Sequence, residues 1–152
     1  MNFFTTKVVL ELELTEDQIL SKVKTITTKK SLNNLINTSN VPFEGEIAED
    51  SFTIYPLFDY GINMFGRPEI LGNLEKNDIA TKLHITSKFP LYFQFILIGI
   101  LTINLSIVIL SINVEILFHL FSLLTLLIFW YSMNRKSEKS IQILKDTLLP
   151  HE

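Results

Sequence analysis

Few residues in this chain are typed and spaced for chemistry, and they fall into two groups. In the first, the stretch from Tyr55 to Arg67, Tyr55, Phe58, Tyr60 and Phe65 stand beside Asp59 and Arg67. Amphipathic aromatics next to opposite charges suit a recognition surface, because they bury area while keeping polar handles for orientation. Tyr55, Asp59, Tyr60 and Arg67 are therefore the candidate ligand- or partner-binding residues. The plainer alternative is that Phe58 and Phe65 fill a core and Asp59 caps a turn. The second group is Asn104, Ser111, His119, Ser122 and Thr125, set in the most apolar part of the chain. Asn104 and Ser111 are seven apart, and His119, Ser122 and Thr125 follow at intervals of three, so each set shares a helix face. Two functions fit such a set. One is a polar seam that hydrogen-bonds two helices or two protomers. The other is the lining of a pore in an oligomer, with His119 as its protonatable group.

Other chemistries lack their residues. His84, His119 and His151 are too far apart in sequence to form a local ligand motif, so no metal site is expected. The absence of cysteine removes disulfides, thiol nucleophiles and Cys-based metal sites. There is no Gly-rich phosphate loop, no G-x-S-x-G elbow and no H-E-x-x-H pair, and five glycines leave little for a backbone phosphate cradle. The expectation is a non-enzymatic protein without a cofactor. A net charge of −3 is no electrostatic footprint for nucleic acid.

The elements that would position the first group read as an α+β domain over residues 1–88. Val8, Leu10, Leu12 and Leu14 share one face while Glu11 and Glu13 share the other, which is a half-buried strand. Thr15-Glu16-Asp17-Gln18 is a capping box opening a helix that runs to about Thr27, with Ile19, Leu20, Val23 and Ile26 as its apolar stripe. Leu32, Leu35 and Ile36 permit a short second helix. From Phe43 the alternation is that of a small antiparallel sheet, with strands at 43–47, 51–55, about 69–74 and 79–86.

The second group sits in a different kind of sequence. Between Lys88 and Arg135 the only formal charge is Glu115. It separates uncharged runs of 26 and 19 positions, and about 20 helical residues cross a bilayer core of about 30 Å. The expectation is a two-helix transmembrane hairpin over residues 89–134, with helices at about 90–111 and 115–133 and a reversal at Ser111–Glu115. Lys82, Lys88, Arg135, Lys136, Lys139 and Lys145 flank it on one side, so both termini are expected on the cytoplasmic side of the inner membrane, with Tyr92, Trp130 and Tyr131 at that interface. The residues at the start of the chain lack the basic and apolar regions of a signal peptide, which makes the first span the expected targeting signal. Beyond Arg135, over residues 135–152, Ile141, Leu144, Leu148 and Leu149 mark a separate amphipathic tail helix, expected to lay its stripe on the sheet.

Phe43-Glu44-Gly45-Glu46-Ile47, Phe52-Thr53-Ile54 and Arg67-Pro68-Glu69-Ile70-Leu71-Gly72-Asn73-Leu74 give the chain a resemblance to small uncharacterised bacterial membrane proteins. That group has an N-terminal strand, helix and short sheet followed by two transmembrane helices. The resemblance implies this architecture and carries over no site. The functional expectation is a membrane-anchored binding or sensor module, with the lipid bilayer, a second copy and an unidentified protein or small ligand as partners. The alternative is a two-helix effector of a defence or toxin system that oligomerises and permeabilises a membrane.

Overall fold

The computed structural model describes residues 5–29, 41–57, 67–76, 80–109 and 116–149. Alternating sequence builds the strands β1 (Thr5–Leu12), β3 (Phe43–Ile47), β4 (Ser51–Pro56), β5 (Glu69–Lys76) and β6 (Thr81–Lys88). A three-residue strand, β2 (Thr27–Lys29), follows helix α1 (Glu16–Thr25). The strand order is β1-β6-β5-β4-β3-β2. Every pairing is antiparallel except β2 with β3, which is parallel. The first and second strands in sequence thus form the two edges, and α1 connects them.

Helix α1 starts where the capping box places it. Thr15 Oγ1 accepts from the Gln18 N–H at 3.3 Å, and the Thr15 N–H donates to Gln18 Oε1 at 3.0 Å. Two otherwise unpaired backbone donors are satisfied in this way. The helix ends two residues earlier than its apolar spacing suggests, because Thr27 and Thr28, β-branched and favoured in strands, are drawn into β2.

One face of the sheet carries the core. Leu12, Phe43, Phe52, Ile54, Ile70, Leu83 and Ile85 pack against Ile19 and Val23 of α1 and Ile141, Leu144 and Leu148 of the last helix. Each such side chain removed from water contributes roughly 1.5–3 kcal/mol. Two strand glycines leave the room this packing needs. A Cβ at Gly45 would meet the Thr53 carbonyl, and one at Gly72 would meet the Phe52 ring. The opposite face of the sheet is polar, bearing Lys7, Glu11, Glu44, Glu46, Tyr55, Glu69, Glu75, Lys82 and His84.

After Phe89 and Pro90 the chain forms α2 (Leu91–Ile109), and α3 (Ile116–Leu148) returns. Phe89, Phe93, Leu97, Leu126 and Met133 are buried in a second cluster between these helices. At the root of this arm, the Ser87 hydroxyl donates to Ser137 Oγ at 2.9 Å, out of contact with water.

Three expectations are corrected. Among the described residues the sheet is a mixed one of six strands, since β2 adds a parallel edge that a three-residue segment is too short to announce by alternation. The tail is not a separate helix: α3 passes without a break from its apolar part through Arg135 and Lys136 to Leu148, and the stripe Ile141, Leu144, Leu148 enters the core as its last turns. Finally, among the described residues no helix is long and apolar enough to cross a membrane. An uncharged run is only an upper bound on helix length. Of the 26 uncharged positions after Lys88, Phe89 and Pro90 precede the helix, and α2 has 19 residues, with Gln94, Thr102, Asn104 and Ser106 among them. The two-helix transmembrane hairpin, and with it the multi-pass placement in an inner membrane, loses the element on which it rested. The second helix suggested by Leu32, Leu35 and Ile36 lies outside the described residues, as does the reversal at Ser111–Glu115.

Candidate functional site

The polar face of the sheet assembles part of the first candidate group. Tyr55 leaves β4 opposite Glu44 of β3, and β5 brings Glu69 to its other side. The Tyr55 hydroxyl donates to Glu69 Oε1 at 2.8 Å. Burial, and after it the hydrogen bond and charge of Glu69, push the Tyr55 phenol up to about 12. Arg67, just ahead of the buried Pro68, sends Nη2 to Glu44 Oε1 at 2.8 Å. The Glu44 side chain is 2% exposed and the Arg67 side chain 23%. A carboxylate this far from water costs several kcal/mol unless it is paired, so the guanidinium holds it in place. The result is a row of acid, base, phenol and acid across three strands, facing away from the helices. It can present hydrogen-bond donors and acceptors in a fixed geometry. Asp59 and Tyr60 lie outside the described residues.

Spacing alone did not identify Glu44 and Glu69. Glu44 reads as one of two outward acids on a strand, and its partner Arg67 is 23 positions away. Only the neighbourhood of β3, β4 and β5 makes it a buried ion-pair member. Sequence reasoning also passed over a cleft of about 620 Å³ beside the β2 edge, lined by Lys24, Thr27, Thr28, Lys29 and residues 45–47. Its walls carry both signs of charge, from Lys24, Lys29 and Glu46.

The second group is brought together within one chain. Asn104 Nδ2 donates to Ser122 Oγ at 2.8 Å and to the Ile100 carbonyl of its own helix at 2.8 Å. Asn104 Oδ1 faces His119 Nδ1 at 3.2 Å. A mid-helix amide in apolar surroundings needs such partners, and α3 supplies them. Thr125 instead donates back to the Phe121 carbonyl at 2.8 Å, and Ser111 lies outside the described residues. The Asn104, His119 and Ser122 contacts are those of a seam joining α2 to α3. A pore lining draws no support from them, because their polar atoms point at one another within one hairpin.

Around this seam the arm is apolar on its outer faces. Sixteen of the eighteen large apolar side chains that stand exposed on the described chain belong to α2 and α3, among them Phe95 at 65% and Phe121 at 71%. Two of its outward hydroxyls are turned onto their own helix: Thr102 donates to the Ile98 carbonyl at 2.8 Å and Ser106 to the Thr102 carbonyl at 2.9 Å. Between the helices an apolar recess of about 400 Å³ opens among Phe93, Ile96, Phe121 and Phe129.

No family model, no curated protein and no solved structure matches the chain.

Proposed function

We propose that this protein is a non-enzymatic binding module that assembles through its helical arm and presents the polar sheet face around Tyr55 and Arg67 to a protein or small ligand. The observation that carries this reading is the surface of the arm. Monomeric soluble proteins rarely expose contiguous apolar patches beyond about 300–600 Å². A half-exposed aromatic leaves on the order of 100 Å² open. Sixteen large apolar side chains exposed to about that degree, five of them aromatic, therefore leave on the order of 1,500 Å². One face of the arm matches the roughly 800 Å² that each partner contributes to a standard interface. A second arm, equally apolar and with its Thr102, Ser106 and Thr125 hydroxyls likewise bonded to its own backbone, is a cover that strands few polar groups.

Because the chain has no cysteine, single thiols report on this directly. Phe95→Cys and Leu124→Cys should each form disulfide-linked dimers on mild oxidation, and an exposed sheet position such as Asn73→Cys should not. A monomer by sedimentation at micromolar concentration, with no arm cross-links, overturns the assembly. Flotation with phospholipid vesicles in the absence of arm cross-links would assign the apolar surface to acyl chains instead.

A further inference from the structure

The free edge of the sheet carries a second inference, on a different surface from the arm. β1 lies at the end of the strand order and, among the described residues, is paired only with β6. Its outer side presents a row of backbone N–H and C=O groups over eight residues. Such an edge is a template for another strand unless proline, a bulge or unfavourable charge blunts it. β1 contains no proline, and its two charges, Lys7 and Glu11, stand at equal distances on either side of Val9 and have opposite signs. All three are exposed on the polar face of the sheet, Val9 at 54% and the Glu11 side chain at 68%. Val9 is the one large apolar side chain of the described strands that stands exposed.

We propose that β1 pairs with β1 of a second copy, antiparallel about a two-fold axis through Val9, joining two sheets into one of twelve strands. In that register Lys7 of each copy stands opposite Glu11 of the other, and Val9 covers Val9. On the core face, half-buried Val8 meets half-buried Leu10, so the two cores become continuous. Glu11 already lies 3.3 Å from Lys82 of β6, and the pairing sets it between two cations. Neighbouring registers are excluded by the pattern. A slip of one residue places core-facing side chains opposite outward ones. A slip of two places Val9 opposite Lys7 or opposite Glu11, and larger slips bring Lys7 to Lys7 or Glu11 to Glu11. Opposed like charges destabilise a strand pair, and opposed unlike charges favour it.

The experiment uses the full chain with Val9→Cys as its single thiol. Cα atoms facing each other across an antiparallel pair are about 4.5–5.5 Å apart, within the disulfide range of about 4.4–6.8 Å. Mild oxidation should convert most of the protein to a disulfide dimer. Adding Lys7→Glu should cut the yield at least about fivefold, as should adding Glu11→Lys, because each opposes like charges twice across the axis. Combining Lys7→Glu with Glu11→Lys should restore it. All three side chains are on the surface, and circular dichroism of each variant verifies the fold. A Val9→Cys chain that does not cross-link, a yield indifferent to Lys7→Glu, or a charge swap that fails to rescue each overturns the proposal. Arm assembly is read separately from Phe95→Cys in the same buffer, so either association can fail without the other.

Discussion

The Arg67 guanidinium lies 2.8 Å from Glu44, a carboxylate on a strand 23 positions earlier in the chain, and that carboxylate is 2% exposed. One pair thereby ties the entry of β5 to the start of β3 across the intervening β4.

Removing Arg67 should cost far more than a surface ion pair does. Arg67→Ala leaves Glu44 inside the protein without its guanidinium, and the expected loss is about 3 kcal/mol. Glu44→Gln with Arg67 retained should cost less, because the amide is cheaper to bury than the ion. Urea midpoints of the two variants and of the double variant Glu44→Gln with Arg67→Ala measure the coupling. Additive losses would show that the pair does not act as a unit.

Tyr55 makes stability depend on pH in the alkaline range. Its phenol is pushed up to about 12 in the folded protein, by burial first and then by Glu69. In the unfolded chain it loses its proton near pH 10. The folded state therefore holds a proton that the unfolded state has released. This contribution is fully present below about pH 10 and is lost as pH rises through about 12. The difference in urea midpoint between the wild type and Tyr55→Phe should stay constant up to about pH 9 and shrink by about pH 11. A difference that does not vary with pH would contradict it.

The arm should loosen without disturbing the sheet when its seam is cut. Asn104→Leu removes the contacts to Ser122 and His119, at a cost of about 1 kcal/mol. Hydrogen exchange should speed up for the amides of α2 and the first half of α3, while β3 to β6 keep their protection. Equal acceleration in both regions would mean that arm and sheet unfold together.

The two strand glycines should resist the smallest enlargement. A methyl group at Gly72 meets the Phe52 ring, itself 2% exposed, and one at Gly45 meets the Thr53 carbonyl. Each Gly→Ala change should cost about 1–3 kcal/mol by overpacking. Phe52→Leu should recover part of the loss for Gly72→Ala and none for Gly45→Ala, where the obstacle is backbone. Thermal unfolding of the four variants separates the two cases.

What could be read from the sequence follows the range of the interactions involved. The capping box needs only Thr15 and Gln18, three residues apart, and the alternation of Val8, Leu10 and Leu12 or of Phe52 and Ile54 reports a strand with one buried face. Such features depend on the periods of strand and helix, so they are local. The stripe Ile141, Leu144, Leu148 likewise shows a helix face that must be covered. That the sheet covers it follows from the sequence reading, but the share taken by Ile19 and Val23 of α1 could not be read.

The chain alone therefore determined the α+β character, the main strands, the start of α1 and the presence of two apolar segments joined near Glu115. Tertiary structure decided the rest. β2, three residues long, exists as a strand because β3 lies beside it. Glu44 becomes a buried ion only where β3, β4 and the residues before β5 meet. The apolar run beyond Lys88 became a 19-residue helix paired with α3, and the tail became the end of that same α3. Sequence reports what each residue prefers over a few turns or pleats. Burial, ion pairing and helix length are settled by which distant segment arrives alongside, and that free energy belongs to the assembled core rather than to any one stretch of chain.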